Sequence, residues 1–206
     1  RKYYRGKVAF FPLDGGSQPT STEAASLPGT VFRAGGFGNA TPNALYRVNV
    51  GGPALPAEDG SIGWAADSTD PSPYRMTGTT VTTATLGELD ATVNPDVPNA
   101  LFSTQRYDTG TKGDGKEMHW SFPVPAGTGL QVRLYFDESA MSAAGQRSFS
   151  VNVDGTTVLS KLDVFAEAGR RVATMRSFPV TSDGVVDLDF IHEVNNPMVS
   201  GIEIIQ

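Results

Sequence analysis

Phe149-Ser150-Val151-Asn152-Val153 runs into Asp154-Gly155 and then into Thr156-Thr157-Val158-Leu159. In an extended chain side chains alternate between two faces, so Phe149, Val151 and Val153 share one side and Ser150 and Asn152 the other. Asp-Gly between two such runs is a strong hairpin signal, because the tight turn that matches strand twist needs positive φ at both central positions. The stretch reads as two antiparallel strands with one apolar face.

The same period extends outward in both directions. Tyr46, Val48 and Val50 share a face, with Arg47 and Asn49 opposite. Met118, Trp120, Phe122 and Val124 alternate with His119 and Ser121, and Leu130, Val132, Leu134 and Phe136 form another apolar row. Val172–Phe178 is a further strand candidate, Val186, Leu188 and Phe190 alternate with Asp187 and Asp189, and Ile202 and Ile204 close the chain. Many alternating strands with almost no helical period predict an all-β protein, an antiparallel β-sandwich of jelly-roll, lectin-like form. One short helical turn is expected near Ser139–Ala144.

Composition agrees and narrows the functions. The chain has 206 residues, with 23 Gly and 14 Pro, which suits short strands joined by turns. Its net charge of −6 argues against nucleic acid, whose phosphates need a basic stripe. No apolar run approaches a membrane span. There is no cysteine, which excludes disulfides and thiolate chemistry. The start at Arg1, without a signal-like apolar core, suggests a piece of a longer polypeptide.

Residues 1–43 look different from the rest. Tyr3–Phe11 could form a strand, but a Ser/Thr/Pro/Ala stretch and the glycines Gly35, Gly36 and Gly38 follow. This region reads as an extension or linker, and residues 44–206 as the main domain. Gly52–Asn99 is long, polar and rich in Pro, Asp, Thr and Ser. Long loops in compact domains tend to carry function. Trp64 in this loop is either a packing anchor or a ligand platform, and Tyr74 lies in it too.

Ala100–Asp108, reading ALFSTQRYD, carries the candidate chemistry. Tyr107 offers an apolar face and a polar tip, and Arg106 and Asp108 offer a donor fork and an acceptor. A sugar ring needs a platform for its C–H face and polar partners for its hydroxyls. The same side chains could plug the end of a sandwich or brace a loop.

Six phrases in order resemble the malectin domain and its malectin-like bacterial relatives. They are Tyr46–Gly52, Ser103–Asp108, Leu134–Glu138, Phe149–Gly155, Leu162–Phe165, and Asn195-Asn196-Pro197 leading into Gly201–Ile204. The resemblance covers about Ala44 to Gln206. It implies a β-sandwich that binds carbohydrate and has no catalytic residues, with aromatic contacts from loops at one end and a late carboxylate. Carried over, the Arg-Tyr aromatic falls on Tyr107 and the long-loop aromatic near Tyr74. The late carboxylate falls on the neutral Asn195, and a Tyr-Phe pair falls on Ala140 and Met141. The fold follows from this, but a glucose-disaccharide specificity does not.

The carbohydrate candidates are therefore Tyr107, Tyr74, Asn195, Asp108, Arg106, Glu138 and Trp64. Asp137 and Glu138 are adjacent on a strand and point to opposite faces, so they do not make a glycosidase pair. His119 and His192 lack partners at metal-ligand spacing. No cofactor is expected, and a structural calcium bound by the Asp59, Asp67 and Asp70 loop is left open. The expected partners are carbohydrate, neighbouring domains of a longer polypeptide, and a second copy through the 1–43 extension, without nucleic acid or membrane insertion. The expected location is extracellular or at the cell surface. The rival reading is a structural or adhesive domain whose sugar site has been lost.

Overall fold

The computed structural model describes residues 43–68, 72–75, 79–113 and 117–206. The expected extension, apart from Asn43, lies outside the described residues, and so does Asp70. In chain order the strands are β1 (Ala44–Asn49), β2 (Ala65–Ala66), β3 (Thr80–Thr83), β4 (Glu88–Leu89), β5 (Thr104–Tyr107), β6 (Met118–Pro123) and β7 (Gly129–Asp137). They continue with β8 (Ser148–Val153), β9 (Thr156–Leu162), β10 (Val172–Thr181), β11 (Val185–Val194), β12 (Met198–Val199) and β13 (Gly201–Ile205).

The strands form a six-stranded sheet, β2-β1-β13-β7-β10-β4, a four-stranded sheet, β6-β11-β8-β9, and a three-stranded sheet, β12-β5-β3. All pairings are antiparallel except the short β1–β2 and β10–β4 contacts at the edges of the large sheet. The β8–β9 hairpin turns as its sequence requires, with φ of 48° at Asp154 and 72° at Gly155.

The six- and four-stranded sheets pack face to face. Val132, Leu134, Phe136, Ile202 and Ile204 from one meet Trp120, Phe122, Phe149, Val151, Leu188 and Phe190 from the other, all buried. Each such side chain stabilises the fold by about 1.5–3 kcal/mol relative to exposure. The alternating rows of the sequence are these inner faces.

The large sheet is covered on its outer side as well. Tyr135 and Ala173 face outward and are buried under Trp64, Val93, Val97, Leu101 and Phe102. The parts of this segment around Trp64 and from Val93 to Phe102 thus form a second packed layer rather than a free loop. Trp64 meets Tyr135 edge to face at 5.5 Å, and the Arg47 guanidinium sits 5.5 Å from the Trp64 ring centroid. Arg47 also pairs with Asp59 at 2.6 Å and Glu203 at 2.8 Å, closing the cover onto β13. Gly201 permits the close approach of this layer, since a Cβ there would lie 2.8 Å from a Leu101 methyl.

The helical turn expected near Ser139–Ala144 is not formed. Glu138 accepts the amides of Ala140 and Met141, and Gln146 accepts those of Ser142 and Ala143, so side chains satisfy groups that a helix would have paired. The one α-helix among the described residues is instead Val164–Ala168. Asp163 caps it by accepting the Ala166 N–H at 2.9 Å.

Candidate functional site

A groove of about 240 Å³ opens where the three-stranded sheet meets the end of β7. Thr82 and Thr83 from β3 and Gln105 and Tyr107 from β5 line it on one side. Ser139, Ala140 and Met141, just after β7, form another wall, and Asn195 and Asn196, between β11 and β12, form the third. Arg147 closes the set. Tyr107 is half-buried, so part of its ring reaches solvent.

Two buried charges hold the walls. One Glu138 oxygen accepts the N–H groups of Ala140 at 2.9 Å and Met141 at 3.0 Å, which fixes the loop after β7. The other oxygen pairs with Arg147 at 2.8 Å. Arg147 then donates from Nη1 to the Asn196 carbonyl at 2.7 Å. Through this pair one carboxylate positions two facing walls, and its charge is neutralised by the guanidinium.

Of the seven candidates, Tyr107 and Asn195 line the groove. Asn195 adopts φ of 60°, accepts the Asn196 N–H at 2.8 Å and faces the Met141 sulfur at 3.8 Å. It therefore closes its own turn while bordering the groove.

The other five are placed elsewhere, each for a physical reason. Glu138 is 1 % exposed and supports the walls from behind. Arg106 points to the opposite face of β5, where Nε pairs with Asp67 at 2.5 Å and Nη2 donates to the Asp67 carbonyl at 2.5 Å. Asp108 is buried, accepting the Gly110 N–H at 2.8 Å with one oxygen, and its carbonyl meets His192 Nε2 at 3.3 Å. Trp64 is 2 % exposed and is a packing anchor, with no face left for a ligand. Tyr74 stacks on Phe122 at 5.1 Å and meets Tyr46 at 5.2 Å at the β6 edge, so it packs the sandwich rather than the groove.

The sequence reading missed Gln105, Thr82, Thr83 and Arg147. A signal existed for Gln105, which lies two residues before Tyr107 and so shares its face. None existed for Arg147, whose role depends on a residue nine positions upstream.

Asp137 is fully enclosed on the face opposite Glu138, and neither carboxylate oxygen has a hydrogen-bond partner. Burial, reinforced by the Glu138 charge and opposed by Arg171, pushes it up to about 7. Asp59 shows the reverse, since its hydrogen bond to Arg47 holds it down at about 2. A larger concavity, about 670 Å³, lies at the other end of β7 and is lined by Leu130, Arg133, Pro179 and Ile205. It holds no aromatic ring and none of the seven candidates.

The comparisons agree with this architecture. The Malectin domain model matches residues 44–202. One receptor-like protein kinase of Arabidopsis thaliana is 29 % identical over 140 residues, covering 65 % of this chain and 16 % of the kinase. Another from the same plant is 25 % identical over 202 residues, covering 89 % of this chain and 23 % of the kinase. The chain thus spans under a quarter of the length of these relatives.

Among solved structures, the ANX2 ectodomain from Arabidopsis thaliana superposes with a TM-score of 0.66 at 20 % identity, over 79 % of this chain and 49 % of that one. The plant receptor-like kinase FER superposes with a TM-score of 0.67 at 22 % identity over the same shares. FER is also seen in a complex with the plant peptide RALF23 and LLG2. These relatives are from plants, so the expectation of a bacterial type gains no support. The ANX2 structure that shares this fold is an ectodomain. With more than half its length matched by one family model, and with the same β architecture, this chain belongs to the malectin domain family.

Proposed function

We propose that the domain is a non-catalytic carbohydrate-binding module and that the groove beside Tyr107 is its site. The observation that carries this reading is a partly buried phenol ring bordering a small concavity whose other linings are Thr, Gln, Ser, Ala, Met and Asn together with the paired Arg147. A pyranose presents an apolar face to such a ring and neutral hydroxyls to such a rim. Glycosidase chemistry needs two available carboxyl groups flanking the bond. Glu138 is instead held by two amides and Arg147, and Asp67 by Arg106, so neither is free to act as acid or base.

Net gains of about 1 kcal/mol per neutral hydrogen bond predict micromolar to millimolar affinity for an isolated site. A glycan array followed by calorimetry, with Tyr107→Ala as control, tests the proposal. Binding that is lost in the variant supports it. Absence of binding to every glycan refutes it.

A second reading is motivated by the FER complex with a peptide and LLG2. In that case the domain is an interaction or adhesive module of a longer extracellular protein, and the groove is incidental. It predicts that Tyr107→Ala leaves partner capture unchanged.

A further inference from the structure

Among the described residues, every sheet edge but one is protected in a recognisable way. β2, β4 and β12 are two residues long. β6 is covered by the chain before β3, since the Ser121 N–H donates to the Tyr74 carbonyl at 2.8 Å and Arg75 bridges to Trp120. β9 is broken by register shifts against β8 and carries Lys161 at φ of 54°. Very short strands, covers, bulges and lysines are the devices that keep a sheet from pairing with another chain. β3 has none of them. Thr80-Val81-Thr82-Thr83 is in regular register with β5 and has no charge and no proline; Thr82 is partly buried and the other three are exposed.

The phase of the β3–β5 pairing shows which backbone groups are open. The Ala84 N–H donates to the Ser103 carbonyl at 2.9 Å, so these two residues form a hydrogen-bonded pair. In an antiparallel ladder such pairs recur at every second residue, so Thr82 with Gln105 and Thr80 with Tyr107 bond across to β5. On the other side of β5 the Asp108 N–H donates to the Pro197 carbonyl, which gives the same phase. Val81 and Thr83 therefore turn their N–H and C=O groups away from the sheet. Among the described residues these groups have no strand partner, and the one contact is the Thr82 hydroxyl, 3.4 Å from the Thr83 carbonyl.

We propose that β3 is a docking edge at which Val81 and Thr83 receive an extended peptide segment of a partner protein as a fourth, antiparallel strand of this sheet. Val81, 39 % exposed, gives the added strand an apolar neighbour on one face. On the other face the residue opposite Thr82 lies at the rim of the groove, where Arg147 is neutralised by Glu138 and the remaining lining is uncharged. The segment that fits is therefore uncharged, with a β-branched residue beside Val81. A second copy of this chain fits less well, because each copy carries a net charge of −6. This inference goes beyond both readings above, since it uses backbone groups at the sheet edge and holds whether or not the groove takes a glycan.

Four backbone hydrogen bonds with little apolar burial predict a Kd on the order of 1 mM for an isolated peptide. The test titrates the full chain, labelled with nitrogen-15, with the blocked peptide acetyl-TVTVT-amide and follows backbone amides by NMR and hydrogen exchange. The Val81 and Thr83 amides are expected to shift and to exchange more slowly, while the Thr82 amide, already bonded to β5, keeps its exchange rate. Two N-methylated probes test the bonding on the wild type alone. Methylation at alternate residues leaves one bonding edge and keeps binding; methylation at every residue removes both edges and costs about tenfold or more. Val81→Pro deletes an N–H that β5 does not use, so a thermal melt is expected to show a folded protein, with binding reduced about tenfold.

No shift at Val81 and Thr83 at about ten times the predicted Kd overturns the docking edge. Equal binding of the fully methylated probe, or unchanged binding by folded Val81→Pro, overturns it as well. Shifts at these two amides that need no peptide and grow with protein concentration assign the edge to a second copy and overturn the partner assignment. The glycan array is a separate measurement, so either result leaves the other standing.

Discussion

Replacing Asp137 by Asn removes a buried acid without changing its shape, and its effect depends on pH in a calculable way. The carboxyl is completely enclosed with both oxygens unpaired, and it is pushed up from 3.8 to about 7 in the folded chain. Glu138 beside it raises it further and Arg171 lowers it. The fold prefers the protonated acid, whereas the unfolded chain ionises near pH 4. Stability from this site is therefore fully present below about pH 4 and is lost as pH rises through 7. With about 1.4 kcal/mol per pKa unit, the loss between pH 5 and pH 8 comes to about 2–3 kcal/mol. For a domain of this size that corresponds to about 5–10 °C in Tm. Asn carries no charge at any of these pH values and lacks the penalty. Urea unfolding of both proteins at pH 5, 6, 7 and 8, followed by the fluorescence of the buried Trp64 and Trp120, gives the comparison. The wild type is expected to fall relative to Asp137→Asn as pH rises. Parallel pH profiles in the two proteins would refute the argument that this carboxyl is neutral in the fold at pH 6.

Three other outcomes follow from named contacts. Trp64→Ala is expected to cost about 3–5 kcal/mol in denaturant unfolding, because it empties the layer over Tyr135. Arg147→Ala is expected to cost about 3–5 kcal/mol, since Glu138 is left buried without its counter-charge, and Glu138→Gln in the same background should recover part of that loss. Asp59→Asn should lower stability at neutral pH and flatten its fall toward acid. The native carboxylate, held down at about 2 by Arg47, contributes stability present above 3.8 that is lost as pH falls through 2; with solvent screening the difference is about 1 kcal/mol at pH 6, read by the same unfolding assay.

The inner faces of the sandwich were legible because alternation reports burial directly. The rows at Leu130–Phe136 and Phe149–Val153 became β7 and β8, and the Asp154-Gly155 turn needed only local backbone geometry. The second layer was harder to read. Its signal lies in Leu134-Tyr135-Phe136, where the alternation breaks and a strand is apolar on both sides, the mark of a sheet covered on both faces. That break says something covers Tyr135. It does not say that the cover is Trp64, Leu101 and Phe102, because contacts across a loop this long leave no period in the sequence. The Glu138–Arg147 pair was invisible for the same reason.

The Arg-Tyr-Asp cluster shows how one strand divides its labour. Along 104–107 the side chains alternate, so Gln105 and Tyr107 lie on the side that lines the groove while Arg106 faces Asp67, and beyond the strand the Asp108 side chain accepts the Gly110 N–H. The sequence reading took three consecutive polar or aromatic residues as one contact set, although strand geometry allows only every second one to reach the same ligand. The charged members are buried and ion-paired or hydrogen-bonded within the frame. Of the uncharged members Gln105 is buried too, and Tyr107 alone borders solvent, where exchanging water for a hydroxyl costs little. The strong electrostatics thus hold the walls in place, and the groove between them presents one ring and a rim of small polar groups.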